Sequence, residues 1–244
     1  MKKKIMILLL CAIIVAGGGG CEVGKKMESK DALLMAMNEK YNETFRFIEW
    51  DYQEMGSRNR TAHVECNSFP DRKIRVEQSE DEKNNLVYLD NYMFYHYESE
   101  IEEKLLNISK KVFPKSVAFF YPEYTMFHND IGLDTSLEQM LEQYHIMLSA
   151  DIVILEETKR KESSQDKQEF QVLMEQWRQE MENEQLQIEG EIYIVRNSKT
   201  FGEFEDKKTG KDNLRKWKEK KNWYEQRCVF AMDSAYEFLY MDWR

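Results

Sequence analysis

Glycine, proline and cysteine are scarce in this chain of 244 residues, and the motifs of the common enzyme classes are absent. It has ten glycines and three prolines, and four of the glycines are consecutive, at 17–20. The remaining glycines leave little sequence for loops that bind phosphate, and neither a P-loop nor a GxGxxG motif occurs. A GxSxG elbow and an HExxH motif are also missing. The sequence therefore argues against a nucleotide site, and we expect no cofactor.

The first 21 residues have the composition of an export signal. Lys2, Lys3 and Lys4 precede an apolar run at 5–16, and the four glycines then lead into Cys21. A charged start, a short apolar run and small residues before a cleavage site are typical of a secretory leader. The run is shorter than the roughly 20 residues that a membrane-spanning helix needs.

This segment resembles the leader of bacterial lipoproteins, in which the first mature residue is a cysteine that receives diacylglycerol before signal peptidase II cuts. The resemblance implies that residues 1–20 are a signal peptide and that Cys21 is the lipid attachment site. It also implies that the protein is lipid-anchored to the cell membrane, on the extracytoplasmic side, since two or more acyl chains anchor stably. A secretory signal cut elsewhere and an uncleaved anchor remain alternatives, and both would still export the domain.

The two cysteines that follow Cys21 in the sequence offer two interpretations. Cys66 and Cys228 both lie in segments with an alternating strand pattern, and the chain contains no CxxC pair, so neither has metal-site spacing. One alternative is a pair of buried thiols, because free cysteine is among the most buried residue types. The other is a disulfide between Cys66 and Cys228, which an exported location permits.

The remaining chain predicts an α+β fold with a mixed or mainly antiparallel sheet and several amphipathic helices. Residues 21–30 form a polar tether, and 31–244 form one globular domain, with two packed halves meeting near 125–135 as an alternative. Apolar alternation predicts strands at 45–52, 61–66, 73–78, 86–89, 117–121, 152–155, 186–194 and 224–232. Helical spacing predicts helices at 31–41, 90–113, 135–148, 163–181 and 211–221. The last residues, 236–243, fit either a hairpin strand or a short helix.

The charge balance is acidic. The chain carries 45 acidic and 35 basic residues, a net charge of −10, and loss of the three leader lysines leaves 32 basic residues and a net charge of −13. This balance disfavours duplex DNA or an anionic bilayer as a partner for the whole surface. We therefore expect no nucleic-acid partner.

One basic segment near the C-terminus opposes this balance and is the strongest candidate contact surface. Lysines and arginines alternate there with tryptophans over a segment that reads as a helix. The contact patch consists of Lys211, Arg215, Lys216, Trp217, Lys218, Lys220 and Lys221. Such a patch suits anionic lipid, a phosphate-bearing wall polymer or a nucleic-acid strand. The favoured alternative is a solvated helix whose cations are balanced by acids elsewhere.

Histidines and acidic clusters give weaker signals. The histidines are His63, His96, His128 and His145. His96 and Glu100 are four residues apart on a predicted helix, a spacing that suits metal ligands or a base with its carboxylate, although it is also common on solvated helices. His128 lies in a predicted loop with Asn129 and Asp130. The acids at 98–103 and 180–184 suggest a glycosidase pair, but a helical run scatters carboxylates around its axis. Similarly, the aromatic residues at 119–124 suit a sugar platform or a core.

The sequence thus favours a membrane-anchored envelope lipoprotein that acts as a non-enzymatic binding or accessory module, with a protein or an envelope polymer as its partner. The alternative is a surface hydrolase acting on an envelope polymer or glycan, whose carboxylates or His128 converge only in the folded chain. A deep pocket with convergent titratable groups would favour the hydrolase, and a flat aromatic or basic patch would favour the module.

Overall fold

A computed structural model describes residues 29–51, 59–83, 85–124, 131–144, 146–156, 164–206, 209–220 and 223–244. The leader with Cys21 lies outside these residues, as do His128, His145 and Lys221. The described part of the chain folds into seven α-helices and two mainly antiparallel sheets, which confirms the α+β class.

The N-terminal part forms a four-stranded antiparallel sheet in the order β1-β2-β3-β4. Helix α1 precedes it and begins after Ser29, whose side chain accepts a hydrogen bond from the Ala32 N–H. Asn42, in the left-handed conformation, ends the helix. The elements are α1 (Lys30–Tyr41), β1 (Phe45–Trp50), β2 (Arg60–Cys66), β3 (Ile74–Glu80) and β4 (Leu86–Asp90). All four strands lie where apolar alternation predicts them.

The predicted long helix after Asp90 is two helices, α2 (Tyr92–His96) and α3 (Glu98–Val112). Helix α2 buries four consecutive residues, whereas α3 buries a single stripe that includes Ile101, Leu105 and Ile108. Because the two helices meet the core differently, the backbone leaves helical geometry at Tyr97, where ψ is 8°. The prediction of one continuous helix was therefore wrong at this residue.

The C-terminal part forms a mixed five-stranded sheet in the order β5-β6-β7-β8-β9. Strands β6 and β7 are parallel and the other neighbours are antiparallel. The helix α5 connects the parallel pair, as such a crossover requires. The strands are β5 (Ser116–Phe120), β6 (Met147–Leu155), β7 (Gln187–Val195), β8 (Gln226–Met232) and β9 (Phe238–Trp243). The helices are α4 (Leu137–Tyr144), α5 (Ser164–Asn183), α6 (Ser198–Glu205) and α7 (Gly210–Lys218), with a short 3-10 helix at Pro122–Tyr124.

Two elements of the C-terminal part differ from the sequence predictions, and a third decides between two alternatives that the sequence left open. Leu148 lies in β6 and not at the end of the preceding helix. Helix α6 was not predicted, although Asn197 caps it by accepting hydrogen bonds from two backbone N–H groups. The last residues form the hairpin strand β9, since Asp233 accepts hydrogen bonds from the backbone of Ala235 and Glu237 in the turn.

The five-stranded sheet is buried on both faces. Residues such as Ile152 and Ile192 face a large core that also includes buried residues of the four-stranded sheet, α1, α3 and α5. Their neighbours along the strands face a second core under α6 and α7. This second core consists of Phe119, Tyr121, Val153, Tyr193, Val195, Phe201, Phe204, Leu214 and Trp223. Strand alternation therefore sends every second side chain of β5–β7 towards α6 and α7.

Cys66 and Cys228 are buried and free, which agrees with the alternative of two buried thiols and contradicts a disulfide between them. Cys66 belongs to β2 in the four-stranded sheet, whereas Cys228 belongs to β8 in the five-stranded sheet. Both contribute to the large core as small apolar side chains. Burial raises the pKa of the Cys228 thiol to about 12 and also raises the pKa of Cys66.

We expect both thiols to resist alkylation in the folded protein and to react when it is unfolded. At about pH 8 an ordinary thiol is roughly one quarter thiolate, whereas a thiol with a pKa of about 12 is roughly one part in ten thousand. Mass spectrometry after iodoacetamide treatment, with and without urea, measures the difference. Modification in urea that required a reductant would contradict the free thiols.

Candidate functional site

A cleft of about 430 Å³ opens on the α7 side of the five-stranded sheet, near the ends where β6 and β7 begin. Helices α6 and α7 cover the later part of these strands and leave the earlier residues uncovered. Three tyrosines line this opening, Tyr121, Tyr124 and Tyr240. We call it the tyrosine cleft. Its other walls include Asp151, Gly190 and Glu191 from the sheet.

The strand register places two carboxylates next to each other in this cleft. In the parallel pair β6–β7, Asp151 is opposite Glu191, and both residues point to the α7 side because they alternate with core residues. The backbone N–H of Glu191 donates to Asp151 Oδ1 at 3.2 Å. The pairing is therefore set by the sheet itself.

Asp151 is buried and each of its carboxylate oxygens has a donor within the chain, a state that we call saturated. Its Oδ2 accepts from the Tyr121 hydroxyl at 2.6 Å and lies 2.6 Å from the Lys218 ammonium of α7. Burial raises the pKa of Asp151, and Lys218 and Tyr121 oppose that rise by stabilising the carboxylate. Burial and the neighbouring carboxylate also raise the pKa of the Tyr121 hydroxyl.

Glu191 is saturated in a similar way. The Tyr193 hydroxyl donates to Oε2, and the Arg227 guanidinium contacts both oxygens, with its Nε 3.1 Å from Oε2. The Lys218 ammonium lies 3.7 Å away and bridges the two carboxylates. The hydrogen bonds to Glu191 raise the pKa of Arg227. All four carboxylate oxygens of Asp151 and Glu191 therefore have a donor within the chain.

Gly190 lies between these groups and permits the close approach of the two strands. Its φ is 152°, and a Cβ there would lie 1.7 Å from the backbone oxygen of Ala150 on β6. Any side chain at this position would push β6 and β7 apart. The register that pairs Asp151 with Glu191 thus depends on a glycine.

The structure divides the predicted contact patch. Lys211, Arg215 and Lys218 lie on one face of α7, and each has an acidic partner. Their charged groups lie 5.4–5.7 Å from the centre of the Tyr121 ring. Lys216 and Lys220 are exposed, and Trp217 is half-buried against the second core. Three of the five described basic side chains of the patch are therefore paired with acids of the same chain.

Some of the acidic partners of this face come from the first acidic cluster noted in the sequence. Glu98 and Glu102 of α3 both contact the buried Lys211. Glu123 contacts Arg215. In the second cluster, Glu180 lies 2.6 Å from Lys111 of α3. These carboxylates join elements of the fold and do not form a glycosidase pair across a cleft.

The described histidines lie outside the tyrosine cleft. His63, on β2, lies 2.8 Å from Asp51 through its Nε2. His96 ends α2 and packs edge-on against Tyr97, so the helix break separates it from Glu100.

Of the aromatic residues at 119–124, Phe119, Phe120 and Tyr121 are buried, whereas Tyr124 is 67% exposed.

Sequence reasoning did not single out the charged groups of the cleft floor, Asp151, Glu191 and Arg227. A signal was present, because Asp151 interrupts an otherwise apolar strand and Glu189 and Glu191 alternate with glycine in β7. A charged residue in such a strand is buried only with partners. The partners, however, come from Tyr121 just after β5, from β7 and β8, and from α7, and only the folded chain brings them together.

Two features are absent from the residues that the structure describes. Within those ranges, no three histidine, cysteine or acidic side chains are arranged to hold a metal ion. No helix in the same ranges is long and apolar enough to cross a membrane.

Comparisons with known proteins give little. No known protein family and no curated protein matches the chain. Among solved structures, the chain is similar to the crystal structure of a DUF5037 family protein from Ruminococcus gnavus ATCC 29149. The two share 15% sequence identity, the match covers 70% of this chain and 76% of that chain, and the TM-score is 0.34. A likeness this distant carries no argument about fold or function.

Proposed function

We propose that this chain is a membrane-anchored envelope lipoprotein that binds a polyhydroxylated envelope polymer in the tyrosine cleft, without chemical conversion. The single observation behind the proposal is that the cleft combines tyrosine walls with a charged floor that is already saturated. The leader sequence at 1–20, followed directly by Cys21, supports the anchor.

The saturated floor favours binding over catalysis. A general base needs a lone pair directed at the substrate, and a nucleophile needs an open approach. Asp151 is 2% exposed, and its oxygens accept from Tyr121, Lys218 and the Glu191 backbone. The carboxylate of Glu191 is held by Tyr193 and Arg227. These contacts make the pair a rigid support for the cleft walls.

The walls suit a sugar-like ligand. Tyr124 is 67% exposed and Tyr240 is 50% exposed, so both present aromatic rings and hydroxyl groups to solvent. Sugar rings offer apolar C–H faces to such rings and hydroxyls that both donate and accept hydrogen bonds. Ser149, Glu189 and Arg215 supply both kinds of partner along the cleft. The volume of about 430 Å³ lies in the range of small-ligand sites, roughly 300–1,000 Å³.

The proposed anchor would keep the cleft close to the membrane. Between Cys21 and the start of α1 at Lys30 there are few residues, which reach about 35 Å at most when fully extended. A polymer in the inner part of the envelope is therefore within reach.

The proposed lipid anchor predicts the chemical structure of the mature N-terminus. Protein extracted from membranes should yield an N-terminal peptide that begins at Cys21 and carries diacylglycerol, as measured by mass spectrometry. A Cys21→Ala variant should accumulate as an unprocessed precursor that retains residues 1–20, because its acceptor thiol is missing. A wild-type chain with an unmodified Cys21 would contradict the anchor without bearing on the cleft.

The binding proposal predicts that exposed tyrosines carry affinity. Replacing both Tyr124 and Tyr240 by alanine should weaken binding of purified envelope polysaccharide by about tenfold or more. Each lost aromatic contact costs roughly 0.5–1.5 kcal/mol in addition to the energy of the lost buried surface area. Sedimentation with the insoluble polymer measures the affinity. Leu239→Ala is the matched control, because Leu239 is 62% exposed on the same strand as Tyr240 but does not line the cleft. Equal binding by both variants would contradict the proposal.

A hydrolase remains the second candidate function, and one observation favours it. Burial raises the pKa of Asp151, as is required of a carboxyl that acts as a general acid, and Glu191 lies beside it. Under this alternative, wild-type protein would release reducing ends from the polymer and Asp151→Asn would not. We expect no release by either protein.

The saturated floor also predicts the effect of charge removal on stability. Lys218→Met leaves the buried Asp151 without its cation, so unfolding in urea should show a loss of about 1–3 kcal/mol, less than for a fully buried pair because Lys218 is one-third exposed. The loss should shrink at acidic pH, where protonation of Asp151 removes its charge. Adding Asp151→Asn should recover part of the stability at neutral pH. Lys216→Met, on the exposed face of α7, is the control and should change stability by less than about 0.5 kcal/mol. An equal loss in Lys218→Met and Lys216→Met would refute the role of Lys218 in stabilising Asp151.

A further inference from the structure

A second cavity of about 590 Å³ lies at the opposite face of the C-terminal end of α7. Arg215 and Lys218 line the tyrosine cleft, whereas Trp217 and Lys220 line this cavity. We call it the tryptophan pocket. Its lining also includes Arg196, Ser198, Trp223 and Tyr224. The two sites share no lining residue, so each can be altered by itself.

The aromatic wall of the tryptophan pocket is held rigidly. The Trp217 and Trp223 rings meet edge to face with centroids 5.9 Å apart, and Tyr224 meets Trp223 in the same way at 5.2 Å. Tyr193 of the sheet stacks against Trp223 at 4.7 Å. Trp223 is therefore fixed from several sides and offers a preformed surface to a ligand.

Two hydrogen-bond donors of residues that line the pocket lack an acceptor. Within the described part of the chain, Arg196 Nε and Trp223 Nε1 are buried and have no hydrogen-bond partner. Trp223 is 8% exposed, so water does not readily replace the missing acceptor. A buried donor without a partner costs about 1–3 kcal/mol. A ligand that brings acceptors to these two donors would recover that cost.

The charges around the pocket are mainly positive. Lys220 lies with its ammonium 4.9 Å from the centre of the Trp217 ring, and Arg196 lies 3.7 Å from the exposed Glu225, which is the acidic residue of the lining. The first residue of α6, Ser198, also lines the pocket, and helix N-termini carry positive potential. This local charge stands out on a chain with a net charge of −10.

We propose that the tryptophan pocket binds the phosphate group of a small phosphorylated polyol. Arg196, Lys220 and the Trp223 N–H supply donors for the phosphate oxygens, and the Trp217 face packs against the carbon atoms of the polyol. Phosphate fits because it offers several acceptor oxygens and a negative charge in one compact group. The site is independent of the tyrosine cleft and of the proposed polymer binding.

Calorimetric titration of the detergent-solubilised full chain with glycerol 3-phosphate tests this site. We expect saturable binding, and no binding of glycerol. Arg196→Gln and Lys220→Ala should each weaken it by about tenfold, which corresponds to 1.4 kcal/mol. Trp223→Phe keeps an aromatic ring but removes the N–H, and should weaken binding as well. Lys216→Ala is the matched control, since Lys216 is exposed on α7 and lines neither site.

Two further comparisons separate a loss of binding from a loss of folding, and a lipid headgroup from a free phosphate compound. Lys220 is exposed, so Lys220→Ala leaves the core intact even where the Arg196 or Trp223 variants lower the thermal midpoint. Binding to phosphatidylglycerol vesicles that glycerol 3-phosphate displaces would identify a lipid headgroup as the source, and soluble binding alone would identify a free phosphate. Absence of saturable binding up to about 10 mM, or equal affinity of Lys220→Ala and Lys216→Ala, would overturn the proposal.

Discussion

The buried carboxylate of Asp151 is the interaction on which the α7 side of the five-stranded sheet depends. A charged group at 2% exposure is stable only when its oxygens are matched by donors, and these come from Tyr121, Lys218 and the Glu191 backbone. Those donors belong to different parts of the chain. One carboxylate therefore ties α7, the end of β5 and the parallel strands β6 and β7 into one unit.

The same requirement explains the arrangement of α7. Its apolar residue Leu214 packs into the second core, its cations at 211, 215 and 218 meet acids, and its remaining polar residues face solvent. A strongly basic segment is thus compatible with an acidic protein, because much of its charge is neutralised internally. Two sites that could accept a ligand lie on opposite faces of the C-terminal part of α7, one lined by tyrosines and one by tryptophans.

Local patterns predicted most of the fold. Period-two alternation located β1–β4 and β7–β8 because one face of each strand is apolar and the other is more polar. The start of β6 was missed, since Leu148 fits a helical stripe equally well when read alone. Helix α6 was missed because it is short and contains a glycine, and its cap at Asn197 looks like any loop residue. The break at Tyr97 depends on packing against two elements, which no local window contains.

The amino-acid sequence by itself determined the α+β class, the position of most of the strands, the acidic balance and the resemblance of residues 1–21 to a lipoprotein leader, because composition and periodicity are local properties. Only the tertiary structure decided which charges are free. Asp151 and Glu191 are 40 residues apart in sequence and adjacent in the sheet, and Lys211 meets Glu98 across 113 residues. Ion pairing and burial depend on distance in space, so the same lysines that read as a contact patch along the chain are, in the fold, partly structural.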